Sequence, residues 1–165
     1  GGLSIGDRVA RIVLTDINPA ALDLARVNAE LAGCADRVEL VEGDLLAGVT
    51  GEVDLVIANP PYLLDPQSRV YRDGGGELGT GLGIRMVREG LARLAPGGKL
   101  ILYTGAPIVG GVDRVRAQLA PIVAERGVHW TYEELDPDVF GEELDAPAYA
   151  AVDRIAAVAA VMIKS

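Results

Sequence analysis

An apolar run that ends at two prolines is the feature that most restricts the fold of this chain. Val53–Ala58 (VDLVIA) is followed at once by Asn59-Pro60-Pro61-Tyr62. The run predicts a buried parallel strand. The prolines lack backbone donors and fix φ, so the chain must leave the sheet there. Because ligands bind at the carboxyl ends of parallel strands in open α/β sheets, we expect the tetrapeptide to line a ligand site.

Strand and helix patterns alternate along the chain. Strands are predicted at residues 9–17, 38–41, 53–58, 99–103, 128–135 and 154–163, and helices at residues 19–32, 84–94 and 112–126. Asn18 is expected to cap the first helix, with Leu24, Val27 and Leu31 as its buried stripe. Alternation of this kind predicts a single α/β domain, residues 1–165, with a doubly wound, mostly parallel sheet. The short connection before the last strand predicts that this strand is antiparallel.

The composition suits one domain with a real core and excludes some classes of protein. Half of the 165 residues are hydrophobic, and Cys34 is the single cysteine. An internal disulfide is therefore impossible, and a reducing compartment is favoured. Cys34 itself is predicted to be a small buried residue after a helix. No apolar run approaches the ~18 residues of a membrane span, and no leader pattern opens the chain. We therefore expect a cytoplasmic protein that does not associate with a membrane.

The net charge of −9 bears on the partners of the chain. Nucleic-acid binding depends on Lys and Arg contacts to phosphates, and Lys99 and Lys164 are the only lysines. Nucleic acid is therefore disfavoured unless a fused basic domain supplies the charge. An acidic stretch allows two interpretations, a solvated loop or a surface that attracts a basic partner. Its residues are Glu133, Glu134, Asp136, Asp138, Glu142, Glu143 and Asp145.

Polar residues follow three successive predicted strands. They are Asp16, Asp44 and Asn59. A carboxylate after the first strand can accept both hydroxyls of a ribose. An acidic residue after the second can accept an adenine amino group, while Leu45 offers a backbone N–H and an apolar edge.

In this order and spacing the chain resembles the Rossmann-like S-adenosylmethionine (SAM) methyltransferases. The resemblance rests on Asp16, Gly43-Asp44 and Asn59-Pro60-Pro61-Tyr62, and it covers essentially the whole chain. It implies that SAM is the cofactor and that the tetrapeptide is catalytic. The cofactor-binding residues that it implies are Gly1, Gly2, Asp16, Ile17, Asp44, Leu45 and Asn59; it implies no metal site.

Within that family, the tetrapeptide marks enzymes that methylate an amino nitrogen conjugated to a π system. Such a nitrogen is a weak nucleophile that becomes positive as it attacks, so acceptors at Asn59 and the Pro60 carbonyl would stabilise the transition state. Tyr62 would stack on the planar acceptor and gain cation–π attraction. A strong general base is unnecessary, and the lone His129 is expected to be a surface residue.

The layout after the tetrapeptide is similar to that of release-factor glutamine methyltransferases and methyltransferase small-domain proteins. Asp73-Gly74-Gly75-Gly76 is followed there by a helix and a Pro-Gly-Gly turn. This resemblance implies a protein substrate, such as a translation factor. Three alternatives stay open: a methyltransferase for an exocyclic amine of adenine or guanine in RNA or DNA, one for a small-molecule amine, and a silent SAM-binding or scaffold domain. The oligomeric state is also open.

Two glycine-rich segments invite comparison with a nucleotide loop. Gly1-Gly2 is expected to be the tail of the family's glycine loop, with the preceding strand and part of the first helix lacking from this sequence. Gly79-Thr80-Gly81-Leu82-Gly83 does not follow a buried strand, so a nucleotide loop is not predicted there. Residues 63–83 are instead expected to form a lid with glycine hinges.

Overall fold

The structure is a computed structural model that describes residues 2–65, 67, 69 and 71–165. By their internal contacts these residues form two compact units, which divide between Gly51 and Glu52. The strands are β1 Ile12–Asp16, β2 Val38–Glu42, β3 Val53–Ala58, β4 Leu94–Val109, β5 Val112–Asp113, β6 His129–Asp136 and β7 Arg154–Ile163. The α-helices are α1 Pro19–Leu31, α2 Gly81–Arg93 and α3 Arg114–Glu125. None of the helices in these residues is long and apolar enough to cross a membrane.

The first unit pairs β1 with β2 in parallel, joined by α1. Asn18 begins the helix as predicted, because its side-chain oxygen accepts a hydrogen bond from the N–H of Ala20 at 3.0 Å. Gly33, at φ +66°, follows the helix end, where a left-handed residue closes the last turn. Cys34 is buried, as predicted.

The predicted buried stripe of α1 is wrong. Leu24, Val27 and Leu31 are 67, 46 and 82% exposed, whereas Leu22 and Ala29 are buried. Apolar residues occur nearly all around this helix, so the sequence offers more than one stripe. Packing against β1 and β2 selects the face that carries Leu22 and Ala29.

The second unit is a mixed sheet in the order β3-β4-β7-β6, with β5 paired to β4. β3 and β4 are parallel, while β7 is antiparallel to both of its neighbours. The α/β class and the antiparallel last strand are therefore confirmed. The sheet of this unit is mixed rather than mostly parallel, since three of the four strand pairs in its described residues are antiparallel. The core lies on β4 and β7 beneath α2 and α3, and its fully buried side chains include Leu100, Leu102, Leu119, Val158 and Met162.

β3 occupies the end of this sheet and is less buried than predicted. Its bounds agree with the prediction, but among its residues only Ala58 is buried, and Ile57 is 43% exposed. In the described residues β4 is its sole hydrogen-bonded neighbour. β6 is mostly exposed, as its alternating pattern predicted, and His129 lies at its surface.

Candidate functional site

The carboxyl ends of β1 and β2 meet in the first unit. The backbone carbonyl of Asp16 accepts a hydrogen bond from the N–H of Gly43 at 3.0 Å, which brings the two strand ends together. Asp16 Oδ1 accepts from the N–H of Asn18 at 2.8 Å, while Oδ2 has no hydrogen-bond partner among the described residues. The carboxylate is exposed. It is thus oriented by the backbone yet open to accept hydrogen bonds from a ligand.

The turn after β2 holds Leu45 in a strained conformation. Asp44 is exposed, and its carbonyl accepts from the N–H of Ala47 at 3.1 Å. Leu45 has φ +51°, although the residue is only 9% exposed. Left-handed backbone at a bulky residue costs free energy and is concentrated at functional sites. The structure thus places Asp16, Asp44 and Leu45 on neighbouring strand ends, as the sequence predicted.

Of the remaining residues predicted to bind the cofactor, Ile17 and Gly2 are in the first unit. Ile17 follows Asp16 directly and is 49% exposed. Gly2 opens a 3-10 helix, Gly2–Arg8, and packs on β1: a methyl group placed on it would lie 3.3 Å from Leu14 Cδ2. Gly1 lies outside the described residues.

The tetrapeptide follows β3 in the second unit, where its members differ in exposure. Asn59 is exposed, Pro60 is buried, and Pro61 and Tyr62 are half-buried. No described residue makes a hydrogen bond with the Asn59 side chain. Buried Pro60 therefore anchors the turn, while the amide of Asn59 remains available to a ligand.

Tyr62 is held between β4 and the connection before β7. Its ring lies against Gly105 of β4, so close that a methyl group on Gly105 would be 2.5 Å from Tyr62 Cδ2. The ring of Phe140 packs on it with centroids 5.6 Å apart. Burial, with a smaller contribution from Tyr103, raises the pKa of the Tyr62 phenol above its ordinary value. The phenol is therefore neutral at physiological pH and does not act there as a base.

Two glycines of the segment that follows the tetrapeptide, Gly74 and Gly79, pack on the backbone of residues 61–63. The N–H of Gly74 donates to the Leu63 carbonyl at 2.8 Å. A methyl group on Gly74 would lie 2.7 Å from the backbone carbonyl oxygen of Pro61. One on Gly79 would lie 2.5 Å from the backbone carbonyl oxygen of Tyr62. Only glycine permits this approach. The segment predicted as a lid, residues 63–83, is thus in contact with the tetrapeptide where it is described; Pro66, Ser68 and Val70 lie outside the described residues.

The predicted acidic stretch contains ion pairs within the chain. Glu134 accepts from Arg154 at 2.9 Å, and Glu143 accepts from Arg72. Glu142 is exposed and has no ion-pair partner among the described residues. The stretch is therefore not a uniform negative surface.

Several residues around Tyr62 escaped sequence reasoning. Phe140 and Tyr149 approach from more than 70 positions away in the chain, and no local pattern marks their contacts. Gly105 lies beyond the predicted end of its strand. Arg72 carries no such signal either, because its partner Glu143 lies 71 positions further along the chain.

The fold is that of methyltransferases. A methyltransferase from Pyrococcus furiosus superposes with a TM-score of 0.58 at 19% sequence identity, covering 94% of this chain and 63% of that one. The chain belongs to the methyltransferase small domain family, whose model matches residues 2–107.

Two curated relatives indicate which enzymes this chain is similar to. The release factor glutamine methyltransferase of Deinococcus radiodurans is 40% identical over 62% of this chain and 41% of its own length. Further relatives that are 31–40% identical carry the same name. The ribosomal RNA small subunit methyltransferase C of Chromohalobacter salexigens is 31% identical over 64% of this chain and 28% of its own length. The chain thus spans less than half of the length of these relatives.

Proposed function

We propose that this chain is the catalytic domain of a SAM-dependent methyltransferase whose acceptor is a planar amino nitrogen, most specifically the side-chain amide of a protein glutamine. The observation that carries the proposal is the tetrapeptide itself. It follows a parallel strand, its buried Pro60 fixes the turn, and its exposed Asn59 amide has no partner among the described residues. The names of the relatives support a release factor as substrate. A cytoplasmic location suits such a substrate.

The residues of the first unit fit an adenosyl cofactor. The exposed Asp16 carboxylate has a free Oδ2 to accept from ribose hydroxyls, and the exposed Ile17 offers an apolar surface to a nucleoside. Asp44, Leu45 and the glycines Gly1 and Gly2 complete the proposed cofactor-binding set of this unit. When bound, SAM supplies an electrophilic methyl group on a sulfonium.

The tetrapeptide would stabilise the charge that develops on the acceptor nitrogen. In the proposed role, Asn59 Oδ1 and the Pro60 carbonyl accept hydrogen bonds from the N–H groups of the acceptor, which strengthen as the nitrogen becomes positive. The neutral Tyr62 ring provides a π face but does not take a proton from the acceptor nitrogen. Pro61 keeps the turn extended, since it fixes φ and cannot donate.

Radiolabelled methyl transfer tests this proposal. The chain is incubated with [methyl-³H]SAM and the release factor of Deinococcus radiodurans, with total ribosomal RNA as the competing acceptor. We expect labelled glutamine in the release factor. Asn59→Ala should lower turnover by roughly 10²-fold or more, as removal of a transition-state hydrogen-bonding group does.

Calorimetric titration with S-adenosylhomocysteine tests the cofactor site separately. Asp16→Ala should weaken binding by roughly 1.5–3 kcal/mol, the range for a hydrogen bond to a charged group, whereas Asn59→Ala should weaken it only modestly. Full turnover in Asn59→Ala would refute the assigned mechanism.

A second candidate acceptor is an exocyclic amine of a nucleobase, favoured by the relative named as a ribosomal RNA methyltransferase. The same hydrogen-bond acceptors, Asn59 Oδ1 and the Pro60 carbonyl, would serve the amino group of an unpaired base. The net charge of −9 weighs against it. Label in ribosomal RNA and none in protein would support this candidate. Cofactor binding without transfer to either acceptor would leave two alternatives, a methyltransferase for a small-molecule amine and a silent binding domain.

A further inference from the structure

The connection between β6 and β7, residues 137–153, packs against Tyr62 and the residues that follow it. Phe140 contacts the Tyr62 ring, and buried Tyr149 accepts a hydrogen bond on its hydroxyl from the N–H of Leu64 at 2.7 Å. Together with Leu63 and Ile155 these residues form an apolar cluster separate from the main core. The position of Tyr62 therefore depends on where this connection sits.

One ion pair joins the connection to the segment that follows the tetrapeptide. The Arg72 guanidinium donates to Glu143, which lies in a 3-10 turn three residues after Phe140. The two side chains are only 34 and 18% exposed. Arg72 Nε also lies 4.0 Å from Oδ1 of Asp65, whose side chain is buried. Because the pair is partly buried, it is screened less by salt than a surface pair, and loss of one partner leaves the other charge poorly solvated.

We propose that Arg72 and Glu143 are positioning residues for the methyl-acceptor site, because their ion pair holds the connection, and with it Phe140, against Tyr62. This inference rests on the proposed function for its catalytic part. It replaces the interpretation of the acidic stretch as an attractant for a basic partner. That interpretation treats Glu142 and Glu143 alike, whereas the structure separates them: Glu142 is exposed, and Glu143 is paired.

We call the Arg72–Glu143 ion pair, which holds residues 137–153 against Tyr62, the clamp. Hydrogen exchange measured by NMR tests the clamp without any need for activity. The wild-type chain is compared with Glu143→Gln and with its matched control Glu142→Gln, which removes the same charge one residue away. In Glu143→Gln we expect the amide of Leu64 and the amides of the 3-10 turn to exchange about tenfold faster, the change that a loss near 1.4 kcal/mol produces. Glu142→Gln should exchange as the wild type does. Tyr149→Phe removes the hydroxyl that accepts from the Leu64 N–H and so gives the exchange rate of that amide without its hydrogen bond.

Steady-state methyl transfer to the release factor tests the positioning role. Glu143→Gln and Arg72→Met should lower kcat about tenfold or more, while Arg72→Lys should recover part of the loss because it restores the charge. Affinity for S-adenosylhomocysteine should stay unchanged in all of them. Glu142→Gln should retain wild-type kcat and KM at low and at high salt.

The possible outcomes separate this inference from the proposed function. Unchanged exchange in Glu143→Gln overturns the clamp, whatever the activity. Faster exchange with wild-type kcat overturns the positioning role. Equal, salt-dependent rises of KM in Glu142→Gln and Glu143→Gln overturn it in favour of attraction of a basic partner. Faster exchange together with no methyl transfer by the wild-type chain supports the clamp and rejects the proposed function.

Discussion

The Tyr62 ring can approach β4 closely because Gly105 has no side chain. A methyl group there would be 2.5 Å from Tyr62 Cδ2 and 3.0 Å from Cε2, both well inside van der Waals contact. The backbone of β4 is fixed by its pairing with β7, so the aromatic ring is the group that would have to move. The absence of a side chain at Gly105 therefore makes room for the ring in this position.

Gly105→Ala should impair methyl transfer while leaving the fold intact. We expect kcat to fall roughly 10- to 100-fold, since misplacement by about an ångström at a reacting centre has that effect. Affinity for S-adenosylhomocysteine should be unchanged. Gly83→Ala is the matched control, because its methyl group would make ordinary contacts of 3.6 and 3.7 Å with Pro60 and Thr104. Kinetic assays in parallel check this; an equal loss in both variants would contradict the steric argument.

The strands and helices were predictable where local pattern and tertiary environment agree. The bounds of β3 and β7 follow from largely apolar runs, and the start of α1 follows from its Asn18 cap. β4 was predicted at residues 99–103 but spans Leu94–Val109, through residues such as Gly105 and Pro107 that are typical of turns.

The extra length of β4 comes from its partner strand. Residues 104–108 pair with β7, whereas β3 pairs with β4 only as far as Leu102. Pro107 is tolerated because it lies between Leu102, the last residue of β4 that pairs with β3, and Ile108, the first that pairs with β5. In the candidate site, the strand-end residues were likewise predictable from order along the chain. Contacts such as Tyr62 with Phe140, 78 positions apart, depend on tertiary packing that no local pattern encodes.

The loop between β3 and α2 is fastened by one buried carboxylate. Asp65 accepts hydrogen bonds from the backbone N–H, Nε and Nη2 of Arg69 at 2.7, 2.8 and 2.6 Å. The side-chain hydrogen bond from Arg69 is the main cause that lowers the pKa of Asp65 to about 2. The ordinary value is about 3.9. Since the folded-state pKa is the lower one, this group stabilises the fold above about pH 4, and the stabilisation is lost as the pH falls from there toward 2.

Asp65→Asn should therefore remove an acid-sensitive part of the stability. We expect the variant to unfold at lower urea concentration than the wild type at pH 7, with the difference shrinking as the pH falls toward 2. The single Trp130, on β6 of the second unit, provides the fluorescence signal. Glu89→Gln, which removes an exposed pair with Arg85, should change little at any pH. A constant difference between wild type and Asp65→Asn across this range would show that Asp65 titrates normally.

The two units differ in how much apolar surface each one buries. The first has a two-stranded sheet and one α-helix, with Leu24 and Leu31 left exposed. A two-stranded sheet is marginally stable by itself. The second unit surrounds β4 and β7 with strands and helices, and Leu102 and Val158 are almost fully buried. Local stability follows the density of buried contacts, so the two units should open with different free energies.

Native-state hydrogen exchange should resolve this difference. We expect the paired amides of β1 and β2 to exchange at least about tenfold faster than those of β4 and β7, a gap of about 1.4 kcal/mol or more. Leu102→Ala should destabilise the second unit by about 2–5 kcal/mol, as loss of a buried leucine side chain does. Ile12→Ala, at a buried position of β1, is the counterpart for the first unit. If each variant accelerates exchange only in its own unit, the units unfold separately. Equal acceleration in both would show that residues 1–165 unfold as the single domain that the sequence predicted.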